Sequence, residues 1–195
     1  GKKLMERKLS TIFALDVVSF SKLMAIDEDI TLAVLRQRRE IIDQIIEDNN
    51  GRIFGSAGDS VIAEFDSPVK ATEASISIQS KMQLINEALP ENQKMRFRIG
   101  LNLGDVMISG DNLYGDGVNI AARLEALAQP NGVCLSRSVH EFINKKMDFL
   151  FNDFGEQTLK DNKFHAFDVV IDDSHKRTVK TKSKSQLPLI AAIVA

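Results

Sequence analysis

The order of apolar segments and turn residues along the chain predicts an α+β fold built on a split βαβ, or ferredoxin-like, core. Short apolar runs typical of strands alternate with two long segments whose apolar residues recur every three or four positions, as on one face of a helix. A glycine-rich turn separates two of the short runs and indicates a hairpin. The resulting order of strand, helix, strand, strand, helix and strand is that of the split βαβ arrangement.

The first half of the chain contains the six elements of this core. An apolar run that ends at Asp16 predicts a buried strand, Asn49 to Gly51 ends the first helix, and Pro68 begins the second. The predicted elements are a strand over residues 9–15, a helix through 32–46, strands over 52–54 and 60–65, a helix through 68–89 and a strand over 95–103.

The second half of the chain is expected to extend this core with additional strands and a helix. We expect residues 106–108 to pair back with the strand over 95–103. The later elements are predicted as a helix over 118–127, a strand over 132–135, a short helix over 138–144 and closing strands over 149–154 and 164–171. No internal repeat or second domain is evident, so residues 1–173 are predicted to form one domain.

Composition excludes several classes of protein. The chain of 195 residues is 44% hydrophobic and 27% charged with a formal net charge of −2, which is typical of a folded globular domain. A general nucleic-acid-binding protein would be distinctly basic, so no nucleic-acid partner is expected. The single cysteine, Cys134, excludes a disulfide framework and a Cys-X-X-Cys site, and the three histidines lack the paired spacing of a zinc centre.

Residues 174–195 differ in character from the rest of the chain. They carry Lys176, Arg177, Lys180, Lys182 and Lys184 without an acidic residue, and they end in the apolar run LPLIAAIVA. One interpretation is a disordered basic linker with an apolar end. The other, which we favour, is a basic linker leading into a truncated membrane helix. The positive-inside tendency would then make the domain a cytoplasmic one with a membrane tether.

Two acidic residues indicate a metal site. Asp16 ends the first predicted strand, and Asp59 follows the hairpin turn. In a split βαβ sheet the end of the first strand and the start of the third lie at the same edge, so these carboxylates would face each other. Such a pair is destabilising unless a cation lies between the charges, and an oxygen-only site suits Mg²⁺ or Mn²⁺. The alternative is that Asp16 caps the following turn and Asp59 is an ordinary hairpin residue.

The peptide units after Asp16 lead from the strand into a helix. The backbone N–H groups of Val17, Val18, Ser19 and Phe20 could therefore bind phosphate oxygens at the positive end of that helix. Every turn from a strand into a helix offers the same groups, so this pattern indicates a phosphate site only together with the two acids.

The segment YGDGVNIAARLE, residues 114–125, contains two polar residues that share one face of a helix. Asn119 and Arg123 are four positions apart, and neither fits an apolar packing stripe. An amide and a guanidinium at this spacing suit a ribose hydroxyl and a phosphoryl oxygen. The alternative is a solvated helix face.

Five motifs occur in a characteristic order: FALDVVSFSKLM, GRIFGSAGDSVIAEF, RIGLNLGDV, LYGDGVNIAARLEALAQPNGVCLS and FGEQTLKD. Together they resemble the catalytic domain of class III nucleotidyl cyclases, and most of all the bacterial adenylate/guanylate branch, from about residue 7 to residue 171. The resemblance implies a ferredoxin-like core with extra strands, and a homodimer whose active sites lie at the interface.

The resemblance also implies a role for individual residues. Asp16 and Asp59 match the two metal-binding aspartates, which hold two Mg²⁺ or Mn²⁺ ions per site. Asn119 matches the asparagine that orients the ribose, and Arg123 the arginine that stabilises the transition state. Lys160 matches the lysine that holds the terminal phosphates. In this family the acids and the Asn/Arg pair of one site come from opposite protomers.

Two positions depart from the family pattern for base recognition. Where adenine-selective members carry a lysine and an Asp or Thr, this chain has Gly55 and Asn112. The Glu and the small polar or thiol residue of guanine-selective members are also missing. Asn112 can pair with either purine and Gly55 has no side chain, so these two residues favour neither ATP nor GTP.

The resemblance implies an adenylate cyclase that converts ATP to 3′,5′-cyclic AMP and pyrophosphate for intracellular signalling. Two metal ions would hold the triphosphate and activate the ribose 3′-hydroxyl for attack on the α-phosphorus. The alternatives are a GTP-using cyclase and a nucleotide-binding regulatory dimerisation domain with little or no activity. Another two-metal phosphoryl-transfer enzyme on the same scaffold, such as a dinucleotide cyclase, would leave the Asn119/Arg123 helix without a role.

Overall fold

The computed structural model describes residues 5–172, which form one eight-stranded sheet and five α-helices. The strands are β1 (Glu6–Val17), β2 (Arg52–Ala57), β3 (Ser60–Phe65), β4 (Phe97–Ser109), β5 (Asn112–Tyr114), β6 (Val133–Ser136), β7 (Leu150–Leu159) and β8 (Asn162–Val170). The helices are α1 (Phe20–Ile26), α2 (Glu28–Asp48), α3 (Pro68–Glu87), α4 (Asp116–Leu127) and α5 (Arg137–Ile143). The predicted boundary after residue 173 and the basic segment 174–195 lie outside the described residues. No helix within residues 5–172 is both long enough and apolar enough to cross a membrane.

The sheet has the order β2-β3-β1-β4-β6-β8-β7, with β5 paired to β4. Its first four strands are the split βαβ core, in which β3 lies antiparallel between β2 and β1, and β1 lies antiparallel to β4. β6 then joins β4 in parallel, and the antiparallel pair β8 and β7 completes the far edge. The predicted ferredoxin-like core with additional strands is therefore confirmed.

The expected pairing of residues 106–108 is wrong. They belong to the continuous strand β4 and pair with β1, as in the partners Val106 and Lys8. The strand that folds back onto β4 is β5, whose Leu113 pairs with Ile108. The Gly-Asp dipeptide at residues 104–105 has turn composition. Because β1 extends far enough to pair with it, as Asp105 with Leu9, the strand continues through this dipeptide.

The two faces of the central strands contact different helices. Phe13 and Leu15 of β1 point into the main apolar core, to which α2, α3 and α5 contribute residues such as Ile42, Ile78 and Val139. The alternate residues Ile12 and Ala14 point to the opposite face and pack in a smaller cluster with Val106 and Ala121 of α4. α4 therefore lies alone among the five helices on the face that carries the even-numbered β1 residues.

Two helices on the main-core face, α2 and α3, begin at side-chain caps. The Asp27 carboxylate accepts a hydrogen bond from the Ile30 N–H at 3.0 Å and separates α1 from α2, so the first predicted helix is preceded by a shorter one. Ser67 accepts from the Lys70 N–H at 3.2 Å, and Pro68 occupies the first turn of α3, where its missing N–H has no cost.

Gly100 of β4 allows α4 to approach the sheet closely. A Cβ atom at this position would lie 2.2 Å from the backbone nitrogen of Glu125 and 2.4 Å from the carbonyl oxygen of Ala121. Only glycine fits at this separation. The close contact fixes the C-terminal half of α4 over β4 and brings Glu125 toward Asp16.

Candidate active site

Asp16 and Asp59 lie at the same end of the sheet, as the strand order predicts. Leu15 pairs with Val61 across β1 and β3, so Asp16 at the end of β1 faces the start of β3. Asp59 immediately precedes β3, and its Oδ2 accepts a hydrogen bond of 3.0 Å from the Val17 backbone N–H. This hydrogen bond fixes the Asp59 side chain beside the strand that carries Asp16.

Arg98 holds the Asp16 carboxylate from the neighbouring strand β4. The two residues are register partners, and the Arg98 Nη2 and Nε donate to the two carboxylate oxygens over 2.9 and 3.2 Å. The Nη1 atom also donates to the Ala126 carbonyl at the end of α4 over 3.3 Å. The hydrogen bond to Asp16 raises the pKa of Arg98 above its ordinary value. Arg98 therefore remains charged and fixes the orientation of Asp16.

Glu125 of α4 is a second, buried carboxyl group beside Asp16. Its residue surface is only 6% exposed. Burial raises the pKa of Glu125 to about 9, with further contributions from a hydrogen bond to Asp16 and from the negative charge of Asp16. Burial and the neighbouring Asp16 carboxylate thus favour the protonated form of Glu125.

The donor atoms at this edge fit a hard divalent cation. Asp16 and Asp59 provide carboxylate oxygens, the ligands that Mg²⁺ and Mn²⁺ prefer. Within the described part of the chain, no group of three or more His, Cys, Asp or Glu could hold a metal ion by itself. An ion at the two aspartates would therefore need additional oxygen ligands, and Mg²⁺ ordinarily takes these from water and from substrate phosphates.

The four peptide units after Asp16 are not equivalent. The Val17 N–H donates to Asp59, and the Val18 N–H donates to the Arg96 carbonyl over 2.8 Å. Ser19 has a left-handed backbone with φ of 56° and precedes α1, which begins at Phe20. Neither the Ser19 N–H nor the Phe20 N–H has a backbone acceptor within residues 5–172. Of the four predicted phosphate donors, the Ser19 and Phe20 N–H groups are thus the two without a backbone acceptor among the described residues, and the phosphate contacts stay a prediction.

A cavity of about 420 Å³ lies beside this turn. Val18 and Ser19 form part of its wall, together with the cationic side chains of Lys22, Lys94 and Arg96. One carboxylate, Glu91, pairs with Arg96 at 3.0 Å and with Lys94 at 3.6 Å. The surroundings of the turn are thus more positive than negative, which favours an anion next to the two aspartates.

Asn119 and Arg123 lie on the outer face of α4, and both are exposed. The opposite face of the same helix buries Gly117, Ala121 and Glu125 against the sheet. Within residues 5–172, neither exposed side chain forms a hydrogen bond or an ion pair with Asp16 or Asp59. A single protomer thus brings the two aspartates together but leaves the Asn119/Arg123 pair facing outward.

Lys160 lies in the two-residue turn between β7 and β8 and is exposed. Its φ of 52° is in the left-handed region that such tight hairpin turns require. The predicted strand over 149–154 is therefore part of a longer hairpin that presents this lysine at its tip.

Gly55 lies on β2 and Asn112 lies on β5. Gly55 is exposed, and nothing lies within 4 Å of a Cβ built on it. Asn112 is exposed at the start of β5, where it pairs with Ser109. Phe54 beside Gly55 and Leu113 beside Asn112 pack against the same apolar cluster.

A cavity of about 810 Å³ in the described part of the molecule contains none of the predicted site residues. It lies beyond the end of β6, between the last part of β4 and the start of β8, and its wall includes Asp105, Arg137 and His165. Cations and carboxylates line it in similar numbers. Asp16 and Asp59 therefore do not line this cavity.

Sequence reasoning missed Arg98 and Glu125. Arg98 interrupts the apolar alternation of the strand over 95–103, which is a signal for a charged residue on the sheet face opposite the main core. Glu125 follows Arg123 by two positions and therefore faces the sheet side of α4. Both signals indicate a face, but neither identifies Asp16 as the contact.

Comparison with known proteins agrees with this fold and residue pattern. The sequence profile described as Adenylate and Guanylate cyclase catalytic domain matches residues 5–181. A Rhizobium meliloti (strain 1021) protein named as a candidate adenylate cyclase is 40% identical over 161 residues. The alignment covers 82% of this chain and 27% of that protein, so the chain spans about a quarter of its relative's length.

Solved structures share the fold. A Silicibacter pomeroyi protein described as an adenylate/guanylate cyclase/hydrolase superposes with a TM-score of 0.81 at 34% identity, over 87% of this chain and all of that one (100%). The adenylyl cyclase CyaB from P. aeruginosa has a TM-score of 0.74 at 20% identity, over 90% of this chain and 98% of that chain, and shows the fold alone. With the profile matched along most of its length, the chain belongs to the adenylate and guanylate cyclase catalytic domain family.

Proposed function

We propose that this domain is an adenylate cyclase that forms 3′,5′-cyclic AMP and pyrophosphate from ATP, as part of an intracellular signalling protein. One observation carries the proposal. Asp16 and Asp59 lie together at one end of the sheet, whereas Asn119 and Arg123 face outward on a helix and form no hydrogen bond or ion pair within residues 5–172. Both halves of a nucleotide site are present in the chain, and two copies are needed to join them.

The aspartates are the proposed metal ligands. Two Mg²⁺ or Mn²⁺ ions, when bound, would neutralise triphosphate charge and lower the pKa of the ribose 3′-hydroxyl. Asp59 is oriented for this task by the Val17 N–H, and Asp16 by Arg98 and Glu125. The N–H groups of Ser19 and Phe20 would bind phosphate oxygens at the start of α1.

The residues from the second protomer act on the reacting groups. Asn119 would hold the ribose so that its 3′ oxygen faces the α-phosphorus, and Arg123 would stabilise the charge that develops on the α-phosphoryl oxygens. The 3′-hydroxyl gives up its proton to solvent, the new bond joins the 3′ oxygen to the α-phosphorus, and the bond from the α-phosphorus to the oxygen that leaves with pyrophosphate breaks. Lys160 at the hairpin tip would bind the terminal phosphates and the leaving pyrophosphate.

An active site built from residues of two protomers would explain why the domain forms a homodimer. An isologous dimer places the same surface of both copies at a two-fold axis, so α4 of each copy can face the aspartates of the other. Asn119, Arg123 and Lys160 are exposed in one protomer and thus available for such an interface. The proposed cytoplasmic location and membrane tether rest on the basic segment after residue 173, outside the described residues.

A second candidate function follows from Gly55 and Asn112. Because neither family pattern for base recognition is present, a nucleotide-binding regulatory domain with little turnover is the alternative, as is a GTP-using cyclase. Purified protein incubated with Mn²⁺ and ATP or GTP, followed by product analysis, separates these functions. Cyclic AMP supports the proposal. Nucleotide binding without product supports the regulatory domain, and a dinucleotide product would contradict both.

A further inference from the structure

We infer that Arg52 recognises the purine base and gives this domain cyclase activity on GTP in addition to ATP. The inference rests on the proposed function, because it assigns a role to Arg52 in that same nucleotide site. It depends on four observations: the strand face on which Arg52 lies, the reach of its guanidinium, the empty space at Gly55 and the exposure of Asn112.

A bulge in β2 places Arg52 and Gly55 on one face. Arg52 pairs with Glu64 and Gly55 pairs with Ile62, two β3 residues that are two positions apart and thus share a face. The register shifts between Ile53 and Gly55, so Phe54 is the extra residue of the bulge. Without the bulge, positions 52 and 55 would point to opposite faces of the sheet.

The Arg52 guanidinium extends toward the turn that precedes Asn112. Its central carbon lies 4.5 Å from the centroid of the Phe54 ring. Nη2 donates to the Gly110 carbonyl over 3.4 Å and lies 3.8 Å from Asp111 Oδ1. Arg52 therefore spans the space between the strand that carries Gly55 and the turn that leads into Asn112.

Most of the donors of this guanidinium are available. The Arg52 side chain is 53% exposed, and its Nε and Nη1 donate no hydrogen bond to any residue between 5 and 172. The position of Gly55 provides room, because nothing lies within 4 Å of a Cβ built there. A planar ligand can thus approach the guanidinium from the side of Gly55 without displacing a side chain.

The donors match guanine better than adenine. Guanine presents two adjacent acceptors, O6 and N7, to a planar guanidinium, whereas adenine presents N7 beside an amino donor. Arginine has donors only, and cannot accept from the adenine amino group. The amide of Asn112 both donates and accepts, and can pair with either base. Arg52 would thus favour GTP, while Asn112 permits ATP.

The test compares the two nucleotides in variants of the intact chain. The rates of cyclic AMP and cyclic GMP formation with Mn²⁺ would be measured for the wild type, Arg52→Ala and Arg52→Lys. We expect the wild type to form both products. Arg52→Ala should lower kcat/KM for GTP about ten-fold more than for ATP, mainly through KM, as expected for the loss of a two-acceptor contact. Arg52→Lys should retain part of the kcat/KM for GTP that Arg52→Ala loses. The matched control is Arg36→Ala, because Arg36 is an exposed arginine on α2 and should leave the ratio unchanged.

The outcomes separate this inference from the proposed function. If the wild type forms cyclic AMP but no cyclic GMP, or if Arg52→Ala lowers both activities equally, the role of Arg52 is contradicted and the adenylate cyclase proposal stands. If neither cyclic product forms, the proposed function fails. Calorimetric dissociation constants for GTP and ATP then test Arg52 without turnover: an unchanged GTP-to-ATP ratio in Arg52→Ala contradicts its role, and a loss confined to GTP supports it.

Discussion

Arg98 holds both oxygens of the Asp16 carboxylate from the adjacent strand, with Nη2 and Nε at 2.9 and 3.2 Å. The side chains of Arg98 and Asp16 are 27% and 22% exposed, so solvent screens the pair only in part. On its third side, Asp16 is hydrogen-bonded to the buried Glu125. A proposed metal ligand is therefore held by a cation on one strand and lies next to a buried carboxyl group on a helix.

Removal of the Arg98 guanidinium should destabilise the fold. In Arg98→Ala the Asp16 charge remains beside the buried Glu125 without a compensating cation, and we expect the free energy of unfolding to fall by about 1–2 kcal/mol, between the values for exposed and buried pairs. Urea unfolding of the metal-free protein measures this change in the free energy of unfolding. Arg96→Ala is the control, because Arg96 pairs with the exposed Glu91 and should cost less than about 0.5 kcal/mol. Equal losses of unfolding free energy in the two variants would show that the contact with Asp16 contributes no more to stability than an exposed ion pair.

Arg123→Ala should impair catalysis without affecting stability. Arg123 is exposed and makes no hydrogen bond or ion pair within the described residues, so its truncation should leave the thermal midpoint unchanged. The loss of a preorganised donor to the transition state should lower kcat about 10²- to 10³-fold. Initial rates with Mn²⁺ and ATP, together with a melting curve, provide the comparison. A full rate in a correctly folded dimer would exclude Arg123 from the reaction.

The same substitution should destabilise the fold at Gly100 and have little effect at Gly55. Gly100→Ala places a Cβ 2.2 Å from the Glu125 nitrogen, so α4 must move, and we expect a destabilisation of about 1–3 kcal/mol. The rate of cyclic AMP formation should fall by more than the unfolded fraction explains, because α4 carries Asn119 and Arg123. Gly55→Ala meets no atom within 4 Å and should be close to neutral. Urea unfolding of both variants measures the difference, and similar midpoints would mean that α4 is not held against β4 as described.

His140 should make the free energy of unfolding depend on pH. Burial lowers the pKa of His140, a shift opposed by the nearby Asp153 and Glu141 and supported by His165 and Arg137. Because the folded state favours the neutral ring, this stabilisation is complete above the unfolded pKa of about 6.5 and is lost as the pH falls through the lower folded value.

His140→Phe keeps an aromatic ring against Phe167, whose centroid lies 4.0 Å from that of His140, but cannot be protonated. Denaturant unfolding between pH 7.5 and pH 5 should therefore show a smaller decline in the variant than in the wild type. Parallel pH profiles would mean that the titration of His140 is not linked to folding.

The strand order was predictable because turn residues and periodicity separate the first six elements clearly. That order was sufficient to place Asp16 beside Asp59, since it determines which strand ends share an edge. The pairing of residues 106–108 was not predictable, because a Gly-Asp dipeptide inside a long strand has the composition of a turn.

The contacts of Arg98, Glu125 and Arg52 were not predictable either. Arg98 meets Asp16 through the register between β1 and β4, and Glu125 does so through the close approach of α4 at Gly100. Arg52 depends on a one-residue bulge in β2. Register, helix placement and bulges are set by tertiary packing, which periodicity alone does not specify.

Complementation between two inactive variants tests the shared site most directly. Asp59→Asn retains an acceptor for the Val17 N–H, so it should fold but lose Mn²⁺-dependent cyclic AMP formation, while Arg123→Ala disables the other half of each site. When the two chains are mixed equally, random pairing gives half mixed dimers with one intact site each, so about a quarter of the wild-type activity should return. No recovery, in a mixture shown by native mass spectrometry to contain mixed dimers, would contradict an active site built from two protomers.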